Sequence, residues 1–185
     1  MSICRSGFSQ SADVIANRFQ PLETTAAGIK ARDLETAQTV ILVDVKQLDP
    51  GLLEVFHPAL ITVFAIVEYG GRTLAATEFV QGRSLMELFM GEPCHPRRAA
   101  EIVSELADGV AELHSRGLGH GNITQSTAVL TAKGKARLSL VSAIGGDQAL
   151  DVNSLKLLLK TIGGQPTPDA TGAQSAAVLA ALLRA

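Results

Sequence analysis

The hydrophobic period of this chain changes once, and the change separates a strand-bearing half from a helix-bearing half. After Phe19 the apolar residues come in short runs. TVILVDV (Thr39 to Val45) is β-branched and bounded by polar residues, so it reads as a buried strand. Leu60 to Glu68 and Arg72 to Val80 flank Gly70-Gly71, the pattern of two strands joined by a tight turn. From Pro96 to Arg116 the spacing becomes helical. Ala99, Ile102, Val103, Leu106, Val110 and Leu113 recur every three to four residues, with Pro96 at the start and Gly117 just past the end. Strands followed by amphipathic helix predict an α+β chain.

Several function classes are excluded by what surrounds these elements. The 185 residues suffice for one domain or for two small lobes sharing an interface. Net charge is -2 and the basic residues are scattered, so nucleic acid is not an expected partner. Mean hydropathy is +0.24, yet charge or glycine breaks the apolar runs before the length of a membrane span, so no membrane association is expected. Cys4 and Cys94 have no metal-ligand spacing and read as free thiols of a reducing compartment. The N-terminal MSICRSGFSQSADVIANRF lacks the apolar core of a secretory signal, and a cytoplasmic location is the expectation.

The most specific stretch is LHSRGLGHGNITQSTAVL, Leu113 to Leu130. It resembles the catalytic loop of the eukaryotic-type Ser/Thr protein kinases, LHxxGIxHRDLKPENVLL. Three other segments resemble the same family in the same order. HPALITVFAIVEYGGRTLAATEFVQGRSLMELF (His57 to Phe89) is similar to the hairpin, hinge and following helix. AKGKARLSLVSA (Ala132 to Ala143) is similar to the turn and strand leading into D-F-G, and DVNSLKLLLKTI (Asp151 to Ile162) to the start of the helix that family accounts call αF. The resemblance runs from about Asn17 to Ile162. It implies a protein-kinase-like two-lobed fold with a β-rich N-lobe (17–80) and a truncated helical C-lobe (81–162). A loose lead-in (1–16), a linker (163–172) and a C-terminal helix (173–185) complete the expected layout.

Within that frame the resemblance implies that the chemistry is missing. His120 matches the family's loop His, Gly121 stands at its Arg, Asn122 at the catalytic-base Asp, Thr124 at the Lys and Thr127 at the metal-binding Asn. Leu140-Val141-Ser142 stands at D-F-G, so no carboxylate is offered to a hard cation. On the TVILVDV strand Val43 holds the lysine position and Ile41 the small residue against adenine. Lys46 comes three residues late, on the opposite face by strand alternation. PLETTAAGIKARD (Pro21 to Asp33) has Gly28 alone where the family's phosphate loop has three glycines. Glu54 lies too close to His57 to match the family's αC glutamate, and ten residues between Leu140 and Asp151 leave no room for an activation segment. His120 and Asp151 read as structural, Asp151 bracing the loop backbone. A Ser126–His120 dyad would lack a third partner.

The expectation is therefore a pseudokinase: a catalytically inactive kinase-like domain, not an enzyme, with no cofactor or metal and no ATP. It would act in signalling as a scaffold or allosteric regulator, by binding a protein partner or by self-association. Its expected partner surface is the apolar run Leu155, Leu158, Leu159 and Ile162, uncovered by the missing segments. Val178, Leu179, Leu182 and Leu183 on the C-terminal helix would cover that run or mediate association. One alternative is a residual ATP-binding Ser/Thr kinase-like transferase, using the hinge at Glu78, Phe79 and Val80. The other is a truncated fragment of a longer signalling protein.

Overall fold

Alternation along TVILVDV shows how the strand half builds two apolar layers. In the computed structural model, which describes residues 14–90, 92–164 and 172–184, this run is strand β3 (Thr39–Val45). Val40 and Leu42 point into an outer cluster with Ile15, Phe19, Ala31, Leu74 and Ala76. Val45, and more peripherally Val43, pack into the main core on the other side. Strand β3 lies in an antiparallel five-stranded sheet with β1 (Phe19–Thr25), β2 (Gly28–Asp33), β5 (Val63–Tyr69) and β6 (Arg72–Glu78), ordered β1-β2-β3-β6-β5. The open end of β1–β2 is pinned by Arg18, whose guanidinium donates to both oxygens of buried Asp33 at 3.0 and 2.8 Å.

The predicted hairpin around Gly70-Gly71 is β5–β6, but its first strand is shorter than the sequence suggested. Leu60–Ile61 forms a separate strand, β4, in a second sheet. There it pairs in parallel with β9 (Ala136–Ser139), followed by β8 (Ala128–Thr131) and β7 (Gly82–Ser84). The reason is packing: the fully buried Leu60 side chain sits over Gly109 of the long helix, which draws β4 away from the first sheet.

That long helix, α2 (Pro96–Ser115), buries Ala99, Ile102, Val103, Leu106, Val110 and Leu113 on one face. Each large aliphatic side chain removed from water there contributes about 1.5–3 kcal/mol. A short helix α1 (Leu85–Phe89) precedes it, closed by a capping box between Ser84 and Glu87. Helix α3 (Gln148–Gly163) and helix α4 (Ala176–Leu182) follow. The main core runs without interruption from Val45, Leu52 and Val63 to Leu155 and Leu179, so strands and helices share one apolar interior. The chain is mixed α+β, a β-rich region with a few helices, compatible with a small kinase-like lobe. Among the described residues no helix is long and apolar enough to cross a membrane.

One expectation is overturned here. Leu155, Leu158, Leu159 and Ile162 are not an exposed surface: α2 packs across α3 and all four are buried. The C-terminal helix docks chiefly on α2 rather than on α3. Leu179 is fully buried and Leu183 partly so, Ser104 donates to the Ala180 carbonyl at 3.1 Å, and Arg184 pairs with Asp108 at 2.8 Å. Lys156 of α3 holds the Ala173 carbonyl at 2.6 Å. Of the expected surface, Val178 and Leu182 remain exposed. Cys4, most of the 1–16 lead-in, 165–171 of the linker, and Ala185 lie outside the described residues.

Leu179→Ala is expected to cost about 2–5 kcal/mol, as buried leucine truncations do. Arg184→Ala, at a surface pair, is expected to cost no more than about 1 kcal/mol. Urea unfolding of both variants checks the docking of α4.

Candidate functional site

Gly117 ends α2, and the ten residues after it form no regular element, so their backbone groups need partners elsewhere. Asp151, in the first turn of α3, supplies them. Its Oδ2 accepts from the His120 amide at 2.7 Å and its Oδ1 from the Gly121 amide at 2.7 Å, while His114 Nε2 lies 3.0 Å from Oδ2. The carboxylate is fully buried, an expensive placement that these three donors offset. His120 is buried as well. The Asn122 amide donates to its Nδ1 at 3.2 Å, so the ring proton sits on Nε2 and donates to the Ser139 carbonyl at 3.0 Å. Burial pushes the His120 imidazole below its ordinary pKa, more than the Ser139 bond and nearby Asp151 raise it, and the ring is held neutral.

The short segment before α3 crosses directly over this loop. Gly121 has φ +73°, and a Cβ there would stand 1.9 Å from the Gly145 carbonyl oxygen. A Cβ on Gly119 would stand 2.3 Å from the Gly146 carbonyl. The crossing is tied by the Ile144 amide to the His120 carbonyl at 2.9 Å and by Asn122 Nδ2 to the Ser142 carbonyl at 3.1 Å. Backbone lies on backbone, and position 121 has no space for the arginine that the resemblance places there.

The other candidate residues are engaged in local structure. Thr127 Oγ1 accepts from the Thr124 amide at 2.9 Å and donates to the Asn122 carbonyl at 3.0 Å, stapling the loop shut. Thr124 Oγ1 lies 2.9 Å from Ser126 Oγ. With both nitrogens of His120 already bonded, the arrangement makes no Ser126–His120 dyad. Leu140 is fully buried at a 3-10 turn, Leu140–Ser142. Gly28 also answers a close approach: a Cβ there would meet the Leu42 carbonyl at 2.3 Å, so the glycine serves the β2–β3 contact. Glu54 lies in a 3-10 turn, Pro50–Glu54, and gives its carbonyl to Arg116.

At the hinge Glu78 is held by Arg137 of β9, at 2.5 and 2.7 Å, and the same guanidinium donates to the Leu60 carbonyl. Lys30, on the face of β2 shared with Ile41, lies 4.8 Å over the Phe79 ring and 3.2 Å from Glu23. Val80 joins Phe79 in lining a smaller cavity at the hinge. A cavity of about 850 Å³ lies elsewhere: it brings Lys46 together with Asn122, Ser142, Gly119 and Gly145, and with Asp44 and Asp49. A lysine, an amide and a hydroxyl facing one groove can hold a polar ligand. Among the described residues no group of three His, Cys, Asp or Glu side chains could hold a metal ion. Sequence reasoning missed Arg137, Lys30 and the Gly145-Gly146 crossing. The last had a signal, a glycine pair placed within reach of GLGHG.

No family model matches the chain. Over 116 residues, 60% of its length, it is 29% identical to a serine/threonine-protein kinase, pkn2, of Myxococcus xanthus. The relationship is kinase-like. The chain spans 14% of that relative's length, and the relationship covers this part alone. It corrects one expectation of the sequence: the chain was expected not to be an enzyme, and its relative is a Ser/Thr protein kinase, which points towards one.

Two outcomes follow from the loop. Gly121→Ala should destabilise far more than Gly117→Ala: both positions have positive φ, costing an alanine about 1–2 kcal/mol, but a Cβ on Gly117 meets nothing within 4 Å. Urea midpoints of the two variants isolate the Gly145 contact. For His120 the folded pKa lies below the unfolded one. The unfolded chain thus takes up a proton first as pH falls below about 6.5. Stability should fall from there until the folded pKa is reached, and His120→Asn should flatten that fall between pH 7 and 5.

Proposed function

We propose that this chain is a degenerate, two-lobed protein-kinase-like domain that works by binding a protein partner, as a scaffold or an allosteric regulator. Residues 17–80 and 81–162 are its two lobes, and the 163–172 linker leads to the C-terminal segment. The observation that carries the reading is the contrast between the Asp151 brace and the positions around it. The brace holds the loop backbone with 2.7 Å bonds, while Val43 and Leu140 offer only apolar groups and the Thr127 hydroxyl is spent inside the loop. A kinase positions phosphates and Mg²⁺ with charged side chains, and here such positions are given to packing. In this reading Lys30 over Phe79, beside Ile41, fills the space that an adenine ring would need.

A second reading is favoured by the Myxococcus relative's name: a nucleotide-dependent Ser/Thr kinase-like transferase, with the hinge at Glu78 to Val80 or the groove of Lys46, Asn122 and Ser142 as its ligand site. Calorimetry with Mg-ATP separates the two. The first reading expects no saturable heat at a dissociation constant below about 1 mM, roughly -4 kcal/mol. Micromolar affinity, or transfer of labelled phosphate to a protein substrate, would establish the second.

A further inference from the structure

A second cavity, of about 470 Å³, lies between the hinge segment 78–81 and the β8–β9 turn. It shares Pro58 and Lys135 with a third, of about 260 Å³, that reaches His57, Ala136 and the side of α2 at Glu105 and Asp108. Together they form one elongated groove with an apolar floor of Pro58, Ala59, Val80 and Ala136. Its charges are uneven. At the hinge end Lys133, Lys135 and Arg137 face the single carboxylate of Glu78, which Arg137 already holds with two bonds.

The acids at the far end are spent too. Glu105 accepts from Lys135 and from the Ala136 amide, both at 2.7 Å, and Asp108 is held by Arg184 at 2.8 and 2.9 Å. One exposed donor remains: among the described residues Lys133 has no partner. The Nε of Arg137 has none either, but it is buried out of reach of the groove.

We propose that this groove binds an extended acidic segment of a partner protein. Alternate side chains of an extended strand point to opposite faces, so one set lies on the apolar floor while acidic residues meet Lys133 and the Lys135–Arg137 edge. The proposal rests on the reading of the chain as a partner-binding domain and names the chemistry of that partner. The free donor, Lys133, is a cation, the carboxylates are internally satisfied, and a basic segment would find no unpaired acid there.

The test uses the full chain and two fluorescein-labelled hexapeptides, alternating Leu-Glu and alternating Leu-Lys, followed by polarisation and by amide chemical shifts. The Leu-Glu peptide should bind saturably below about 1 mM and at least about tenfold more tightly than Leu-Lys. Its affinity should fall as salt rises from 50 to 300 mM. Lys133→Glu, a change at an exposed turn outside the core, should weaken it about fivefold or more. Shifts should appear at 78–81 and 131–137. Equal binding of both peptides, indifference to Lys133→Glu, or displacement by an equal concentration of free glutamate would overturn the assignment. Peptide-induced shifts confined to the groove of Lys46 and Asn122 would overturn it as well, while leaving the partner-binding reading standing. The absence of any binding would sink the acidic-segment proposal, while the Mg-ATP titration tests the broader reading separately.

Discussion

One buried carboxylate organises the helical half of this protein. Asp151 lies at the start of α3, and its two oxygens take up the amides of His120 and Gly121 and the imidazole of His114 at 3.0 Å or less. A charge buried this deeply is tolerable only if its acceptor sites are filled, so the carboxylate fixes where α2 ends, where α3 begins and how the loop between them is threaded. The neighbouring hydrogen bonds follow from that threading. His120 faces the Ser139 carbonyl, Thr127 closes the turn, and Asn122 reaches across to Ser142.

A second constraint comes from a short connection. With ten residues between Leu140 and Asp151, the connection takes the shortest route, over the loop itself. The route is open because Gly119 and Gly121 present bare backbone to Gly145 and Gly146. The bare backbone at 121 and the short connection are thus two sides of one packing solution. At the other end Arg137 joins three pieces of chain, the end of β6, β4 and β9, and sets the two sheets against one another.

The residues legible in the sequence were those whose periodicity or order carries the signal. The six apolar positions of α2, the β3 strand and the glycine turn between β5 and β6 follow from spacing, and Asp151 beneath the 120–121 backbone follows from the aligned order of segments. What the sequence hid depends on contacts between distant residues. The burial of Leu155, Leu158, Leu159 and Ile162 rests on α2 packing across α3, and the docking of α4 rests on Ser104 and Asp108, some seventy-six positions away from their partners. Arg137 is one scattered basic residue in the sequence and a three-way clamp in the fold. The enzyme question turned on kinship: missing charges argued against an enzyme, and the match to a Ser/Thr kinase argues towards one.

The central claim is that Asp151 holds a kinase-like loop frame in place as a rigid part of the core. Native-state hydrogen exchange of the His120 and Gly121 amides tests it most directly. Donors buried on a carboxylate at 2.7 Å should exchange only through global unfolding, with protection equal to that of the α2 core amides such as Leu106 and Val110. Exchange as fast as that of the exposed Gly70-Gly71 turn would contradict the account.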